Sequence, residues 1–319
     1  MTDQILSRLL EQETVSGQAL SRELGVTRAA VWKKIDALRE AGFNIESCGR
    51  QGYRLNGCPD SLRGPVVSKG LDTKWAGREI VYLESVDSTN RYARRWAAEG
   101  APHGALVLAD AQTEGRGRRG RNWISPAGEG IFMSLILRPY AHPSEVARLS
   151  LQTALAVAKA LHDACGLDAQ IKWPNDIVCG GRKICGLLLE MNADEQAVHD
   201  VVAGVGINVH QKQFAQEIEK TASSVDLQTG RTEKRAAIVR AFLRAFEETE
   251  QLGDGLMEAY RAHSATLGKR VEVIGGDYRF VGTALEVTDW GSLIVEDEQG
   301  RKREVLAADV SVRGLMGYV

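Results

Sequence analysis

Between two apolar stretches the chain reads Gly115-Arg116-Gly117-Arg118-Arg119-Gly120-Arg121, with Gln112 and Thr113 before it and Trp123 after it. Glycine lets a backbone bend and approach a ligand closely. Each guanidinium offers a planar, permanently charged fork suited to phosphate and carboxylate oxygens. A loop of this kind could close over a small anion and keep water away from it. The same composition also fits a solvated Arg/Gly loop that touches nucleic acid. The flanking apolar segments place it inside a folded domain and not in a disordered tail.

Other stretches carry polar groups at positions suited to a ligand. Asp87-Ser88-Thr89-Asn90 opens a helical pattern. Ser88 or Thr89 can cap that helix, and hydroxyls and amides at a helix N-terminus can also hold a polar head group. Lys172-Trp173-Pro174-Asn175-Asp176 ends a short strand pattern. Lys183 stands where a hairpin turning over Gly180-Gly181 re-enters a sheet. Alone it would be a solvated turn lysine, and the arginine loop is what makes it a candidate. Gly204 and Gly206 interrupt an apolar run over 198–208, and glycine inside a strand marks close approach of a ligand or backbone.

The elements that must position these groups follow a simple order. Strand patterns cover 79–83, 105–109 and 131–137, the last apolar throughout. A helix carrying Tyr92, Ala93, Trp96 and Ala97 inward ends at Gly100, and a long helix capped by Ser144 runs through Cys165 to Gly166. Further strands cover 170–173, 177–179, 184–190 and 198–208. Residues 211–232 lack a period and are expected to form a mobile loop, followed by helices over 234–251 and 254–263. Together these predict an α/β domain over 66–265 with glycines and basic groups along one sheet edge. Short strands over 271–273, 279–287, 293–296, 303–306 and 310–312 then predict a small barrel of the Src-homology-3 type over 266–319. Gly275-Gly276-Asp277, Asp289-Trp290-Gly291 and Glu298-Gln299-Gly300 are turns of that barrel. It carries no catalytic constellation and should pack on the central domain or contact a partner.

The first 60 residues have a different character. Ile5, Leu6, Leu9 and Leu10 line one face of a helix over 3–11. A second helix over 18–24, with Ala19, Leu20 and Leu24 apolar, meets a third through a turn at Gly25. Thr27 caps the third, Val31, Ile35 and Leu38 point inward, and Gly42 ends it. This is a helix-turn-helix pattern. Thr27, Arg28, Ala29, Trp32 and Lys33 are its candidates for DNA contact, with Arg39 weaker. A hairpin with Arg50 at its tip adds a wing. A three-helix module that binds protein would share the pattern, and the turn glycine, cap and basic wing favour DNA. Residues 56–65, rich in proline and glycine, read as the linker.

Composition narrows the class. With 319 residues, 44% hydrophobic, 26% charged and a net charge of −2, the chain suits a globular protein of about two domains, and any nucleic-acid contact must come from a local patch. Its 5 cysteines, Cys48, Cys58, Cys165, Cys179 and Cys185, form no Cys-x-x-Cys pair, and its 6 histidines are scattered. That argues against a disulfide framework and against a metal caged by protein. No signal peptide pattern and no apolar run near the ~20 residues of a membrane span are evident. A cytoplasmic protein is expected.

In Asp87–Asn90, Gln112 with 115–121 and Trp123, 172–176, Lys183-Ile184-Cys185-Gly186, and Gly204-Val205-Gly206-Ile207-Asn208, the sequence resembles the bifunctional biotin–protein ligases that are also biotin-operon repressors. The likeness covers nearly the whole chain, and the N-terminal helix-turn-helix sets it apart from shorter ligases. It implies a multidomain α+β fold: a winged helix-turn-helix (1–60), a central α/β ligase domain with a mixed sheet (66–265) and an SH3-like β barrel (266–319). The implied reaction joins biotin and ATP, with Mg²⁺, into biotinyl-5′-adenylate, then moves biotin to a lysine of biotin carboxyl carrier protein. Bound adenylate would favour a homodimer that reads operator DNA. By resemblance Ser88, Thr89, Asn90 and Gln112 hold the biotin ring. Arg116, Gly117 and Arg118 contact the acyl end and phosphate, with Gly115, Arg121, Trp123, Gly186, Gly204 and Asn208 in the same biotin/adenylate site. Lys183 acts at the carboxylate and Arg118 beside it, while Asp176 deals with the metal or the incoming amine. One departure is that 211–232 has Phe214, Ile218, Val225 and Leu227 but no tryptophan to cover the adenine. Two alternatives stay open: an effector-sensing transcription regulator without ligase chemistry, and a lipoate-type ligase.

Overall fold

Helices α1 (Thr2–Glu11), α2 (Gly17–Glu23) and α3 (Arg28–Glu40) form because each has an apolar stripe, and α2 and α3 also have a side chain to start them. Ser16 Oγ accepts the N–H groups of Gln18 and Ala19, and Thr27 Oγ1 accepts that of Ala30. Gly25 (φ +65°) makes the turn between α2 and α3, where a left-handed residue is needed. Ile5, Leu6, Leu9, Leu20, Val31, Ile35 and Leu38 close the core, with Leu10 and Leu24 partly buried against it. Ala19, expected on the apolar stripe of α2, is exposed instead. The wing is an antiparallel pair, β1 (Asn44–Ser47) and β2 (Tyr53–Gly57), around a 3-10 turn Gly49–Gln51.

This computed structural model describes residues 1–139, 146–194, 197–275, 278–307 and 311–314. Ser144, Gly276, Asp277 and Val310, which figure in the expected helix cap, turn and last strand, lie outside the described residues. The chain divides into two compact units, 1–71 with 234–236, and 72–233 with 237–319. The stretch read as a linker is packed within the first unit. Leu62 is fully buried, Asp60 accepts from Arg235 (2.6 Å), and α4 (Gly64–Ser68) follows at once. Proline and glycine there mark a break in periodicity and not an absence of packing.

The second unit is built on a 7-stranded mixed sheet in the order β3-β4-β5-β9-β8-β7-β6. Its strands are β3 (Ile80–Val86), β4 (Leu106–Gln112), β5 (Gly130–Leu137), β6 (Gln170–Lys172), β7 (Asp176–Cys179), β8 (Arg182–Ala193) and β9 (Val198–Asn208). Only β3 and β4 are parallel, joined by the crossover helix α5 (Thr89–Ala98); the other pairs are antiparallel. Ala93 and Ala97 of α5 pack on Val107, Ile136 and Val202. The central strand β5 is buried along its whole length, as its unbroken apolar run requires. The long helix α6 (Val146–Cys165) packs on the same sheet.

Residues 211–232, expected as a mobile loop, are held at both ends. Ser224 Oγ donates to Gln211 O and caps a short helix α7 (Val225–Thr229), and Ala222 to Val225 are buried. Loss of period reflects irregular backbone here, and the backbone groups still find partners. Helices α8 (Arg235–Glu250) and α9 (Gly255–Ala262) follow, with Ile238, Phe242 and Phe246 fully buried. The C-terminal strands β10 (Arg270–Ile274), β11 (Arg279–Val287), β12 (Leu293–Asp297), β13 (Lys302–Val305) and β14 (Ser311–Gly314) form one antiparallel sheet in the order β13-β12-β11-β10-β14.

Candidate functional site

Strands β4, β5, β7, β8 and β9, the α5 N-terminus and the segments after β4 and β9 line one cleft of about 1070 Å³. At one end Ser88 caps α5, its Oγ accepting the Arg91 N–H. Thr89 donates its N–H (2.8 Å) and hydroxyl (3.1 Å) to Gln112 Oε1, and Gln112 Nε2 donates to Ser125 Oγ (3.0 Å). Ser88, Thr89 and Asn90 are all buried. What this corner still offers a ligand is the Ser88 hydroxyl proton, a Thr89 lone pair and one Gln112 N–H.

Asn90 belongs to the wall and not to the opening. Its Oδ1 accepts from Ser134 Oγ (2.6 Å), and its Nδ2 donates to Leu188 O (3.1 Å) and Glu190 Oε2 (2.8 Å). Both amide protons are spent. Gly204 makes this packing fit, since a Cβ there would stand 2.2 Å from Asn90 Oδ1. Ser134 and Glu190, which fix Asn90, are residues that the motifs did not single out. Ser134 hid as one polar letter in an apolar strand.

The charged centre comes from a hairpin. Gly180 (φ +55°) and Gly181 (φ +71°) form the two-residue turn between β7 and β8. A register shift follows: Ile177 pairs with Cys185 but Val178 pairs with Lys183. Such a bulge re-aims side chains, and Lys183 Nζ lies 2.6 Å from Asp176 Oδ1 and 5.2 Å from the Trp123 ring centroid. The arginine loop is a folded turn. Gly117 N donates to Arg121 O, Trp123 N donates to Gly115 O, and Arg116 bridges Asn122. Arg118 donates to Asn175 Oδ1 (3.1 Å) and to Ala307 O of the C-terminal module. Burial lowers the Arg118 pKa and the Asp176 carboxylate opposes that shift. The C-terminal module also anchors the floor: Trp173 Nε1 donates to Gly291 O (3.0 Å). Its role as a support of the cleft, through Ala307 and Gly291, is what its lack of polar motifs concealed.

Arg116, Gly117, Arg121, Trp123, Gly186 and Asn208 also line the cleft. A Cβ on Gly186 or Gly206 would come within 3.0 Å and 2.7 Å of the Trp123 indole, so the two glycines seat that ring. Asn208 donates to Ser223 O and pins the segment after β9. Gly115 does not line the cleft. It is buried in the turn, where a Cβ would lie 2.3 Å from Trp123 O. The far end of the cleft is formed by Gln211, Gln213, Phe214, Ala215, Glu217, Ile218, Lys220, Thr221 and Ala222. Lys183 straps this end, its N–H donating to Thr221 O and its carbonyl accepting from Ser223 N.

In the first unit Thr27, Arg28, Ala29, Trp32 and Lys33 are exposed along the start of α3, and Arg50 is exposed at the wing tip. Trp32 leaves 54% of its surface to solvent. Arg39 instead donates to Ile45 O and Ser47 Oγ, so it ties α3 to the wing. Among the described residues no group of three His, Cys, Asp or Glu could hold a metal ion, and no helix is long and apolar enough to cross a membrane.

Comparison with known proteins places these features. Residues 82–208 match the biotin/lipoate A/B protein ligase family, 2–54 a helix-turn-helix domain and 266–313 the biotin protein ligase C-terminal domain. The bifunctional ligase/repressor BirA of Bacillus subtilis is 38% identical over 310 residues, covering 94% of each chain. That of Escherichia coli is 27% identical over 314 residues, covering 97% of this chain and 96% of its own. The biotin protein ligase from Aquifex aeolicus in complex with biotin and ATP superposes with a TM-score of 0.66 at 27% identity, over 74% of this chain and 99% of that one.

Proposed function

The chain belongs to the bifunctional ligase/repressor family, and on that premise we propose that it activates biotin with MgATP and passes it to a lysine of biotin carboxyl carrier protein. We propose the division into 1–60, 66–265 and 266–319 as its reader, ligase and supporting parts. The observation that carries the reading is the cationic centre, Lys183 and Arg118 with Asp176 and Asn175, set between a hydroxyl-and-amide corner and an open end. Biotin's ureido carbonyl takes hydrogen bonds from Ser88 and Gln112, and its N–H gives one to the Thr89 oxygen. Asn90 keeps that corner rigid. The carboxylate then lies at Lys183 and Arg118, with Arg116 and Arg121 beside the phosphates.

Two anions must meet in the first step, so lowering the barrier is chiefly electrostatic. A carboxylate oxygen attacks the α-phosphorus, the bond to the β-phosphate oxygen breaks, and pyrophosphate leaves. Mg²⁺ arrives on the ATP phosphates. In the second step the carrier's lysine amine attacks the acyl carbon and AMP leaves. Asp176, paired with Lys183, is placed to take the proton from that amine. The turn formed by 115–123 shields the mixed anhydride from water.

We further propose that the adenylate-bound chain pairs as a homodimer in the cytoplasm and sets two reader units on operator DNA through Arg28, Trp32, Lys33 and Arg50. Pyrophosphate release from ATP, measured with biotin, with lipoate and with a carrier domain added last, tests the enzyme. Release with biotin followed by a biotin-sized mass gain on the carrier is expected. Release with lipoate alone would overturn the substrate, and release with neither would leave the effector-sensing regulator.

A further inference from the structure

Lys183 has two kinds of support. Asp176 and the Trp123 ring meet its ammonium, and a second set of groups holds its backbone. The bulge between β7 and β8 breaks the ladder beside Lys183, and its peptide groups turn to another segment. Lys183 N donates to Thr221 O (2.7 Å), and Ser223 N donates to Lys183 O (2.8 Å), a parallel bridge centred on Ala222. Ser223 is fully buried and is held in its turn. Its carbonyl accepts from Asn208 Nδ2 (3.1 Å), and its Oγ accepts from Gln228 Nε2 (2.8 Å). Gln228 belongs to α7, and a Cβ on Gly180 would stand 3.0 Å from its Oε1. One amide therefore lies against both the turn of the Lys183 hairpin and the residue that binds the Lys183 carbonyl. Neither Ser223 nor Gln228 lines the cleft, so neither reaches a substrate.

Resting on the ligase function proposed above, we propose that Ser223 and Gln228 are positioning residues of adenylation, which set Lys183 at the carboxylate by locking its backbone. A cation stabilises developing charge only where it is aimed. Supporting groups must hold a reacting group to within about 0.5 Å, and a misplacement of about 1 Å can cost a hundredfold in rate. A lysine stem is flexible and cannot supply that precision alone. The fixed point is the peptide of Lys183, from which the ammonium reaches the place between Asp176 and Trp123. This role differs from keeping 211–222 in place. A pair that served only that segment would alter nucleotide binding and leave the chemical step as it is.

The test is rapid-quench measurement of adenylate formation by the full chain at varied biotin and ATP, in the wild type, Gln228→Met, Gln228→Glu and Ser223→Ala, with Gln228→Met also placed in the Lys183→Met background. Gln228→Met keeps the length and loses the bond to Ser223. Its rate at saturating substrates should fall about tenfold, with the half-saturating concentrations of biotin and ATP within about twofold of wild type. Gln228→Glu should bring the rate back to within about threefold of wild type, because the Ser223 hydroxyl can donate to a carboxylate. In Lys183→Met the added Gln228→Met should cost less than about twofold, since a group that acts through the lysine then has nothing to position. If Gln228→Met does not fold, Ser223→Ala removes the same bond from its other end and should show the same tenfold fall. An unchanged rate in the variant that folds overturns the proposal. So does a higher half-saturating ATP concentration at an unchanged rate, an equal loss in Gln228→Glu and Gln228→Met, or the full tenfold loss in the Lys183→Met background. Absence of biotin-dependent adenylate formation in the wild type is the separate result that would sink the ligase reading itself.

Discussion

The two ends of the cleft are built differently. At the Ser88 end nearly every polar atom is already bonded within the protein, and the ligand meets a few donors and acceptors left over from a rigid network. At the Gln211 end the lining mixes apolar Phe214 and Ile218 with exposed Gln213, Glu217 and Lys220, and the buried Gln211 Oε1 has no hydrogen-bond partner. A site of the first kind recognises by shape and preorganisation, because moving any group breaks several bonds. A site of the second kind recognises by completing a bond that the protein lacks. The cationic centre between them belongs to neither end and does the chemistry.

Removing the centre should give the largest effect. Lys183→Met is expected to slow adenylation by about a thousandfold, since an aimed cation at developing charge is worth that much, while biotin and nucleotide each still bind. Rapid-quench measurement of adenylate formation checks this, and a loss of less than tenfold would move the chemistry elsewhere. Next comes the rigid end. Gly204→Ala drives a Cβ into Asn90 Oδ1 and should break the wall, raising the KM for biotin about a hundredfold with little change for ATP and a lower melting temperature. Equal rises for both substrates would mean that the ends are not independent. Arg118→Gly frees the turn from Asn175 and Ala307, and free biotinyl-adenylate should escape about tenfold faster, read by chromatography of the quenched mixture. Retention as in the wild type would remove the turn as the shield.

The smallest effect is one of pH and lies outside both ends. Burial pushes the Asp297 carboxyl up, but the N–H groups of Arg301 and Gln299 and the guanidinium groups of Arg303 and Arg301 outweigh it and hold its pKa at about 2. A carboxyl depressed on folding stabilises above its ordinary range, and that stability is lost as pH falls from there toward 2. Thermal melts across that window should decline, and Asp297→Asn should flatten the decline without touching adenylation at neutral pH.

Much of this was legible in the sequence because the relevant residues sit at breaks in periodicity. The Gly180-Gly181 turn fixes the hairpin that carries Lys183 and could be placed from pattern alone, while the start of α5 could be placed at Ser88 or Thr89, of which Ser88 is the cap. Other features were not legible because they depend on contacts across the fold. Asn90 looks like a ligand group until Ser134, Leu188 and Glu190 are seen to consume it. Gly115 falls in the motif yet sits behind the cleft wall. Gln211 looks like the first residue of a loose loop, yet it is buried and its carbonyl accepts from Ser224 Oγ. Arg118 reaches Ala307, far along the chain, which no local pattern announces.

In the proposed reaction the cleft joins a carboxylate to an α-phosphate over Lys183 and Arg118. Biotin labelled with oxygen-18 in its carboxylate tests it most directly, with unlabelled ATP and a carrier domain, and mass analysis of the AMP released. One labelled oxygen is expected in each AMP, because the attacking oxygen stays on phosphorus when the carrier's lysine takes the acyl group. Unlabelled AMP beside biotinylated carrier would contradict it.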